Sequence, residues 1–280
     1  MKKTKRRSPL AVLAYLFVIA GSLIIAFPLY ITFVTAFKTL DESAVSFFTL
    51  PTRLYLGNFA EVISDEYFWN YIINSIGVTV GAVGIIAVFI PMVSYAISRN
   101  MQQKRYYRFL YIYFILGVFV PFQVFMVPLT QMMTKFHMLN QVGLVLCYVA
   151  FGLCEGVFLY VGYLKSVPLE IEEASAIDGC STVQTFFRII YPISKPMTAT
   201  VVILDTLWVW NDFLLPVLML NRSPKNWTLP LYQYNFKSAH MFRYNLAFAA
   251  FLFSIIPMIV LYAFLQRYII EGLTAGAVKT

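Results

Sequence analysis

The stretch Glu173-Ala174-Ser175-Ala176-Ile177-Asp178-Gly179, followed after a spacer by Ile189-Ile190-Tyr191-Pro192, is a polar island between two long apolar segments. Glutamates at positions 170, 172 and 173 suit the first turn of a helix, where they meet the positive end of the helix dipole. Gly179 suits the end of that helix, because glycine adopts the left-handed conformation freely. We therefore predict a short helix that stops at a glycine hinge.

A second short helix is predicted directly after the hinge. Ser181 and Gln184 have the spacing of a capping box, and Pro192 is expected to end the element. Four large apolar residues recur at helical spacing and are predicted to share one face: Val183, Phe186, Phe187 and Ile190. The pattern leaves open whether this face packs on the protein's own spans or lipid, or binds a soluble partner.

Composition places the chain in a membrane. Hydrophobic residues make up 60% of the sequence and charged residues 12%, whereas an average soluble domain is about 25% charged. A helix needs about 20 apolar residues to cross the hydrocarbon core. Six segments meet this need: 10–37, 67–98, 109–133, 142–164, 197–220 and 244–266. We predict an all-α integral membrane protein with six transmembrane helices.

The distribution of basic residues predicts the orientation. Most of the 21 lysines and arginines fall in the N-terminal segment, the loops 99–108 and 165–196, and the C-terminal segment. Because cytoplasmic loops are enriched in such residues, both termini are predicted in the cytoplasm, as is the loop 165–196 between helices 4 and 5. The first apolar run is longer than the 7–15 residues of a signal peptide core, so it is predicted to be a retained span. The net charge of +8 is attributed to an anionic lipid leaflet and not to nucleic acid.

The sequence offers no catalytic or metal-binding constellation. Cys147 and Cys154 fall in the fourth predicted span and Cys180 in the following loop, so a disulfide framework is not expected. His137 and His240 fall in predicted outer loops, away from the cysteines. No phosphate-binding Gly-x-x-x-x-Gly-Lys loop is present, so any ATP hydrolysis must belong to other chains.

Three acidic residues interrupt the predicted spans: Glu155, Asp205 and Asp212. Each costs about 2.5–3.5 kcal/mol unless it is shielded from lipid, so each should face the bundle interior, water or a partner. Asp205, Trp208 and Asp212 share one helical face, and Asn211 lies close to it. Acid, amide and indole groups together suit a sugar, which makes these residues candidates for a translocation path. The alternative is structural, with the acids bonded to other spans or to a partner subunit.

The polar island resembles the cytoplasmic "EAA" loop of permease subunits from ATP-binding-cassette importers. Two positions depart from that pattern, Ser175 in place of alanine and Tyr191 in place of leucine. In this family the loop inserts into a cleft of the ATPase subunit. The resemblance therefore implies that the loop couples to an ATPase through Glu173, Ala174, Ser175, Asp178, Gly179, Phe186, Phe187, Ile189 and Pro192.

The resemblance extends along most of the chain. It is strongest to the smaller, G-type permease subunit of maltose-type carbohydrate importers, through stretches at 74–75, 95–99, 121–124, 128–129, 139–140, 210–213 and 266–279. It implies one type I importer transmembrane domain over residues 1–280. Within the 121–124 stretch, Gln123 becomes a further candidate for the translocation path.

Two further contacts are implied by the resemblance. The cytoplasmic tail 266–280 is expected at the interface between two ATPase subunits, through Gly272, Leu273, Thr274, Ala275 and Gly276; the alternative is a disordered terminus. The third outer loop is expected to contact a binding protein through Trp227, Tyr232 and Tyr234; the alternative is an aromatic belt at the membrane interface.

The expected function is that of a permease subunit in the cell membrane, which translocates a carbohydrate, more narrowly an oligosaccharide. The implied partners are a second, different permease, two ATPase subunits that bind ATP and Mg²⁺, and an extracytoplasmic sugar-binding protein. The chain itself is expected to be non-catalytic and to hold no cofactor. The main alternative is a proton-driven sugar transporter that uses Glu155, Asp205 and Asp212, and a membrane-embedded hydrolase is a weaker one.

Overall fold

A computed structural model describes the backbone of residues 9–236 and 243–277, and the side chains of residues 13–236 and 243–263. Every regular element in these ranges is a helix, which confirms the all-α prediction. In chain order the α-helices are α1 (Pro9–Ala36), α2 (Leu40–Val45), α3 (Gly57–Ile63), α4 (Phe68–Asn100), α5 (Arg105–Val118), α6 (Phe122–Lys135), α7 (Gln141–Leu164), α8 (Glu170–Ile177), α9 (Thr182–Thr185), α10 (Tyr191–Ile193), α11 (Lys195–Asn211), α12 (Leu214–Leu220), α13 (Leu229–Tyr234) and α14 (Tyr244–Ala277). A π-helical turn, Phe186–Ile190, joins α9 to α10.

Within the described residues, four helices are long and apolar enough to cross a membrane unbroken: α1, α4, α7 and α14. Two bent pairs, α5 with α6 and the stretch Thr182–Ile193 with α11, raise the number to six if each pair counts as one span. The upper number agrees with the six predicted spans, although the second bent pair starts at Thr182, within the predicted loop 165–196, and not at residue 197.

The third predicted span, 109–133, is not one continuous helix. Helix α5 ends at Val118, α6 begins at Phe122, and their axes meet at 104°. Pro121 has a ψ of 137°, and a proline also disfavours helical geometry in the residue before it. The prediction of one continuous span here is wrong, because Pro121 separates two helices.

The fifth predicted span, 197–220, is also divided. Asp212 follows α11 with an extended ψ of 134°, and its carboxylate accepts the N–H groups of Leu214 at 3.0 Å and Leu215 at 3.3 Å. These donors belong to the first turn of α12, where backbone N–H groups lack partners within the helix. Asp212 therefore ends one helix and caps the next.

The contacts divide the chain into two compact units, and the first comprises Met1–Phe68 and Gln233–Ile256. Two buried asparagines satisfy carbonyls at and just after the end of α1, where helical partners are missing. The Asn245 amide donates to the carbonyl of Lys38 at 2.7 Å. The Asn58 amide donates to the carbonyls of Ala36 at 2.9 Å and Lys38 at 2.8 Å. These bonds hold the exit of α1 in place.

The second unit, Trp69–Tyr232 with Pro257–Thr280, is organised around a close approach of α4 and α7. A Cβ atom on Gly152 would lie 2.7 Å from Cδ1 of Ile86, and one on Gly156 would lie 2.1 Å from Cδ1 of Ile90. Both isoleucines are fully buried. Small residues permit such approaches between membrane helices, and the hydrophobic cores of this unit form around this pair.

Replacing Gly156 with alanine is expected to lower the thermal unfolding midpoint of the purified protein. The added methyl group has no room against Ile90, and overpacking of this kind costs about 1–3 kcal/mol. Gly162→Ala is the matched control, because a Cβ atom on Gly162 in the same helix meets nothing within 4 Å. Equal midpoints for the two variants would show that the α4–α7 approach does not limit stability.

Candidate functional site

The loop 165–196 folds into two short helices around a hinge. Gly179 has a φ of +79°, in the left-handed region. The Ser181 hydroxyl accepts the N–H of Gln184 at 3.4 Å, and the Gln184 side chain accepts the N–H of Ser181 at 2.8 Å. The glycine hinge and the capping box are both confirmed, so the local sequence fixes the entry and exit of the turn between α8 and α9.

Ser175, one of the two departures from the EAA pattern, holds the two helices together. Its hydroxyl lies 2.7 Å from that of Thr185, and both side chains are buried. A buried hydroxyl without a partner costs about 1–3 kcal/mol, and this pair satisfies both. An alanine at position 175 would leave Thr185 without this bond. The serine that departs from the EAA pattern is therefore paired with a polar residue on α9.

The apolar face predicted for the second helix is only half buried. Phe186 and Ile190 are 4% and 0% exposed, whereas Val183 and Phe187 are 65% and 47% exposed. The expectation of one shared face is wrong, because the chain turns into a π-helix at Phe186–Ile190 and the helical periodicity changes there. Phe186 packs against Tyr95 and Tyr191 at ring distances of 5.2 and 5.8 Å.

A half-buried arginine joins the loop to the ends of two long helices. Arg99, near the end of α4, pairs with Glu172 of α8 at 2.6 Å. Its other nitrogens donate to the carbonyls of Leu164 at 3.0 Å and Val167 at 3.3 Å, at and just after the end of α7. Tyr95 donates to the second carboxylate oxygen of Glu172 at 2.8 Å. We call Tyr95, Arg99 and Glu172 the arginine clamp.

The remaining predicted coupling residues are either exposed or half-buried. Glu173, Ala174, Asp178 and Gly179 are exposed, and Ile189 and Pro192 are half-buried. Ile177 is 86% exposed, although it is a large apolar residue in a loop outside the long helices. A firmly held loop with exposed apolar side chains has the physical character of a docking surface.

Four of the six residues predicted for a translocation path line one cavity of about 390 Å³: Gln123, Glu155, Trp208 and Asp212. Its walls come from the α5–α6 junction, the middle of α7, and the α11–α12 junction. This volume falls in the range of small-molecule sites. The helix breaks that the sequence analysis missed are therefore the places where the polar groups of the cavity are displayed.

Tyr148 positions two of the cavity residues. It is fully buried, and its hydroxyl donates to Asp212 at 2.9 Å. Its ring meets Trp208 edge to face, with the centroids 5.3 Å apart and the planes at 86°. With the two backbone N–H groups of α12, three donors hold the Asp212 carboxylate in place.

Asp205 and Asn211, the other two path candidates, do not line the cavity. Asn211 is exposed and donates to the carbonyl of Leu207 in its own helix at 2.7 Å. Asp205 is 8% exposed and lies behind the cavity wall, since its Oδ1 is 3.0 Å from the Cβ position of Gly152. The predicted stripe on one helical face is thus split between the cavity and its surroundings.

The aromatic residues predicted to contact a binding protein differ in exposure. Tyr71 of α4 stacks on Trp227 and Tyr232, with ring centroids 6.2 and 4.4 Å apart. Tyr232 is 6% exposed, and Trp227 is partly buried against the core. Tyr234 is 41% exposed. Trp227 and Tyr232 therefore pack mainly within the protein, and Tyr234 presents the most accessible ring of the three.

The predicted ATPase-interface residues of the tail, 272–276, continue the backbone of α14. Their side chains, and residues 278–280 altogether, lie outside the described residues. The proposed role of the tail therefore stays a prediction.

Sequence reasoning missed the residues that hold both regions together: Arg99, Glu172, Thr185 and Tyr148. A signal existed for Arg99, which is the first charge after a long apolar run and belongs to the matching 95–99 stretch. No local pattern marks Tyr148 or Thr185, because their partners are 64 and 10 residues away.

Comparison with known proteins identifies close relatives. A sequence profile of the family described as "Binding-protein-dependent transport system inner membrane component" matches residues 88–274. The multiple sugar-binding transport system permease protein MsmG of Streptococcus mutans is 40% identical over 269 residues, which cover 95% of this chain and 96% of MsmG. The probable starch degradation products transport system permease protein AmyC of Thermoanaerobacterium thermosulfurigenes is 37% identical, covering 90% of this chain and 91% of AmyC.

A third relative and a solved structure extend this result. The arabinooligosaccharides transport system permease protein AraQ of Halalkalibacterium halodurans is 32% identical, over 91% of this chain and 92% of AraQ. The fold matches a chain of a bacterial ABC transporter that imports the acidic polysaccharide alginate, with a TM-score of 0.79 and 22% identity. That match covers 93% of this chain and 96% of the other, and at this identity it bears on the fold alone.

Proposed function

The chain belongs to the family of inner membrane components of binding-protein-dependent transport systems, and on that premise we propose that it is the permease subunit of an ATP-binding-cassette importer for a carbohydrate, more narrowly an oligosaccharide. As a member of this family it is a multi-pass protein of the cell membrane and a non-catalytic transport subunit. The names of MsmG, AmyC and AraQ all refer to saccharides or their breakdown products, which supports a saccharide as cargo. The relatives give no support to the proton-driven alternative.

Membership in the family implies ATPase subunits and a substrate-binding protein as partners. We place ATP and Mg²⁺ on two such ATPase subunits, and both termini and the loop 165–196 in the cytoplasm. The excess of basic residues in those segments supports this orientation. A second, different permease as partner rests on the resemblance to G-type subunits of maltose-type importers.

The observation that carries the coupling proposal is the exposure of large apolar side chains on a rigid loop. Ile177, Val183 and Phe187 are 86%, 65% and 47% exposed, while the Ser175–Thr185 bond and the arginine clamp hold the loop in one shape. Burying such side chains in an ATPase cleft would stabilise the complex by about 25 cal/mol per Å² of apolar surface. Motion of the ATPase would then be carried by the loop as a rigid body.

The clamp gives this motion a physical route to the cavity. Arg99 binds the Leu164 carbonyl at the end of α7, and the same helix supplies Phe151 and Glu155 to the cavity wall. A displacement of α8 would therefore move α7, and with it one side of the proposed path through Gln123, Glu155, Trp208 and Asp212.

Replacing Ile177 with aspartate is expected to reduce the amount of ATPase that co-purifies with this chain by about tenfold or more. A charge at this position would have to be desolvated in the cleft. Leu54→Asp is the matched control, because Leu54 is an apolar residue of similar exposure, at 72%, in a predicted outer loop. Equal recovery of the ATPase with both variants would contradict docking through this loop.

The tail 266–280 is proposed to reach the interface between the two ATPase subunits. Helix α14 has 34 residues, or about 51 Å at about 1.5 Å each, which exceeds the hydrocarbon core of about 30 Å. Its end is therefore long enough to project beyond the bilayer. Among the aromatic candidates, the exposed Tyr234 is the preferred contact for the binding protein.

A further inference from the structure

The charge of the cavity is the feature that the proposed function leaves unexplained. Glu155 and Asp212 line it, and neither lysine, arginine nor histidine belongs to its described lining. Glu155 is exposed and makes no hydrogen bond or ion pair with any described residue. Its carboxylate is thus an acceptor that faces the cavity without a protein donor.

A third acid lies directly behind the cavity wall. Asp205 is 92% buried, since only 8% of it is exposed, and within the described part of the chain it makes no hydrogen bond. Its Oδ1 lies 3.0 Å from the Cβ position of Gly152, a residue of the cavity lining, so the acid lies next to the cavity wall. Buried carboxylates in proteins are normally satisfied by donors, so this acceptor indicates a donor that enters from the cavity.

The other lining residues indicate what kind of molecule could supply that donor. Trp208 presents an aromatic surface, fixed edge to face by Tyr148, and Gln123 adds an amide. Aromatic faces pack on the apolar faces of sugar rings, and carboxylates accept hydrogen bonds from hydroxyl groups. A carboxylated sugar, in contrast, would bring like charges together in a low-dielectric cavity.

We propose that this cavity contacts the cargo during transport and acts as a charge filter, accepting uncharged saccharides and excluding those that carry carboxylate groups. This inference rests on the proposed function and narrows its substrate class. The fold alone does not set the charge of the cargo, because the similar solved transporter imports an acidic polysaccharide. In this chain, Glu155 and Asp212 determine which cargo charge the cavity accepts.

A native cysteine allows a direct test. Cys154 lines the same cavity, so its reaction with small thiol reagents reports the local potential. The assembled importer is treated with a cationic (trimethylammonium) or an anionic (sulfonate) methanethiosulfonate, and modification of the Cys154 peptide is followed by mass spectrometry. Each rate is divided by the rate for free cysteine in solution. Acidic clefts raise local cation concentrations by about 10–10³-fold, so the normalised rate of the cationic reagent should exceed that of the anionic one at least about tenfold.

Each control variant removes one negative charge. Glu155→Gln should lower the ratio several-fold, whereas Glu66→Gln, at an exposed acid between α3 and α4, should leave it unchanged. A ratio near one, or a ratio that Glu155→Gln does not alter, would overturn the proposal. If Cys154 reacts with neither reagent, Val118→Cys, at another lining position, is held to the same expectations.

The cargo is tested by protection of the same thiol. A mixture of neutral di- and trisaccharides should slow modification of Cys154 more than the corresponding uronates at equal concentration. Equal or stronger protection by the uronates, or no protection by the neutral mixture, would contradict the proposal. ATP hydrolysis stimulated by the binding protein in the same preparation is an independent readout of the proposed function, so the two can fail separately.

Discussion

Replacing Arg99 with glutamine is expected to lower saccharide-stimulated ATP hydrolysis by the assembled importer at least about tenfold. The side chains of Arg99 and Glu172 are 14% and 16% exposed, so this partly buried pair costs less to break than the about 3–5 kcal/mol of a fully buried one. The change also removes the donors to the carbonyls of Leu164 and Val167. The loop would then be able to move without α4 and α7, which uncouples the ATPase from the membrane helices.

Two control variants separate coupling from loss of charge or of folding. Arg108→Gln removes a charge from an exposed arginine on α5 and should leave hydrolysis unchanged. Arg99→Lys keeps the charge, but a lysine ammonium cannot reproduce the planar fork of donors, so intermediate coupling is expected. Full activity of Arg99→Gln, with normal membrane levels, would show that the clamp has no part in coupling.

Gly179→Pro is expected to abolish stimulated hydrolysis while the chain still inserts into the membrane. Proline requires a φ near −65°, whereas the hinge has a φ of +79°. Proline also removes the N–H that Gly179 donates to the carbonyl of Ala176 at 3.1 Å. The turn between α8 and α9 would have to rearrange, and the loop would lose the shape that an ATPase cleft recognises.

The matched control at this position is Gly179→Asn. Asparagine tolerates the left-handed conformation better than other residues with a Cβ atom, and there is open space around the Cβ position of Gly179. We expect this variant to keep most of the stimulated hydrolysis. Equal activity of the proline and asparagine variants would mean that the hinge geometry is not needed for coupling.

The sequence predicted those features that depend on neighbouring residues. The number of apolar segments, the glycine hinge and the Ser181–Gln184 capping box all follow from composition and spacing within a few residues. The family resemblance added the coupling role, because five positions of the loop match the EAA pattern at the correct spacing. Local chemistry is sufficient at each of these places.

The features that the sequence did not predict depend on partners far apart in the chain. In the sequence, Asp212 is an acid within a predicted span. In the structure, it accepts hydrogen bonds from Tyr148 and from the first turn of α12, and it lies at the end of a helix. Pro121 lies within the predicted span 109–133, yet the two helices on either side of it meet at 104°. The prediction of one apolar helix face also failed at Phe186–Ile190. A π-helical turn contains an extra residue, which rotates the side chains that follow it.

The same limits apply to the cavity. Glu155, Trp208 and Asp212 were singled out by residue type, and the structure brings them together with Gln123. Asp205 and Asn211 were selected by the same spacing argument but lie outside the lining, although both belong to α11. Spacing identifies which residues share a helix face, but only packing decides which part of that face is open.

The central claim is that nucleotide-driven motion of the loop 165–196 reaches the cavity through the arginine clamp. The most direct test compares the modification rate of Cys154, in the assembled importer, between nucleotide-free and nucleotide-trapped states. We predict that trapping the nucleotide changes this rate several-fold in the parent protein and that the change disappears in Arg99→Gln. An equal change in both proteins, or no change in the parent, would contradict the account.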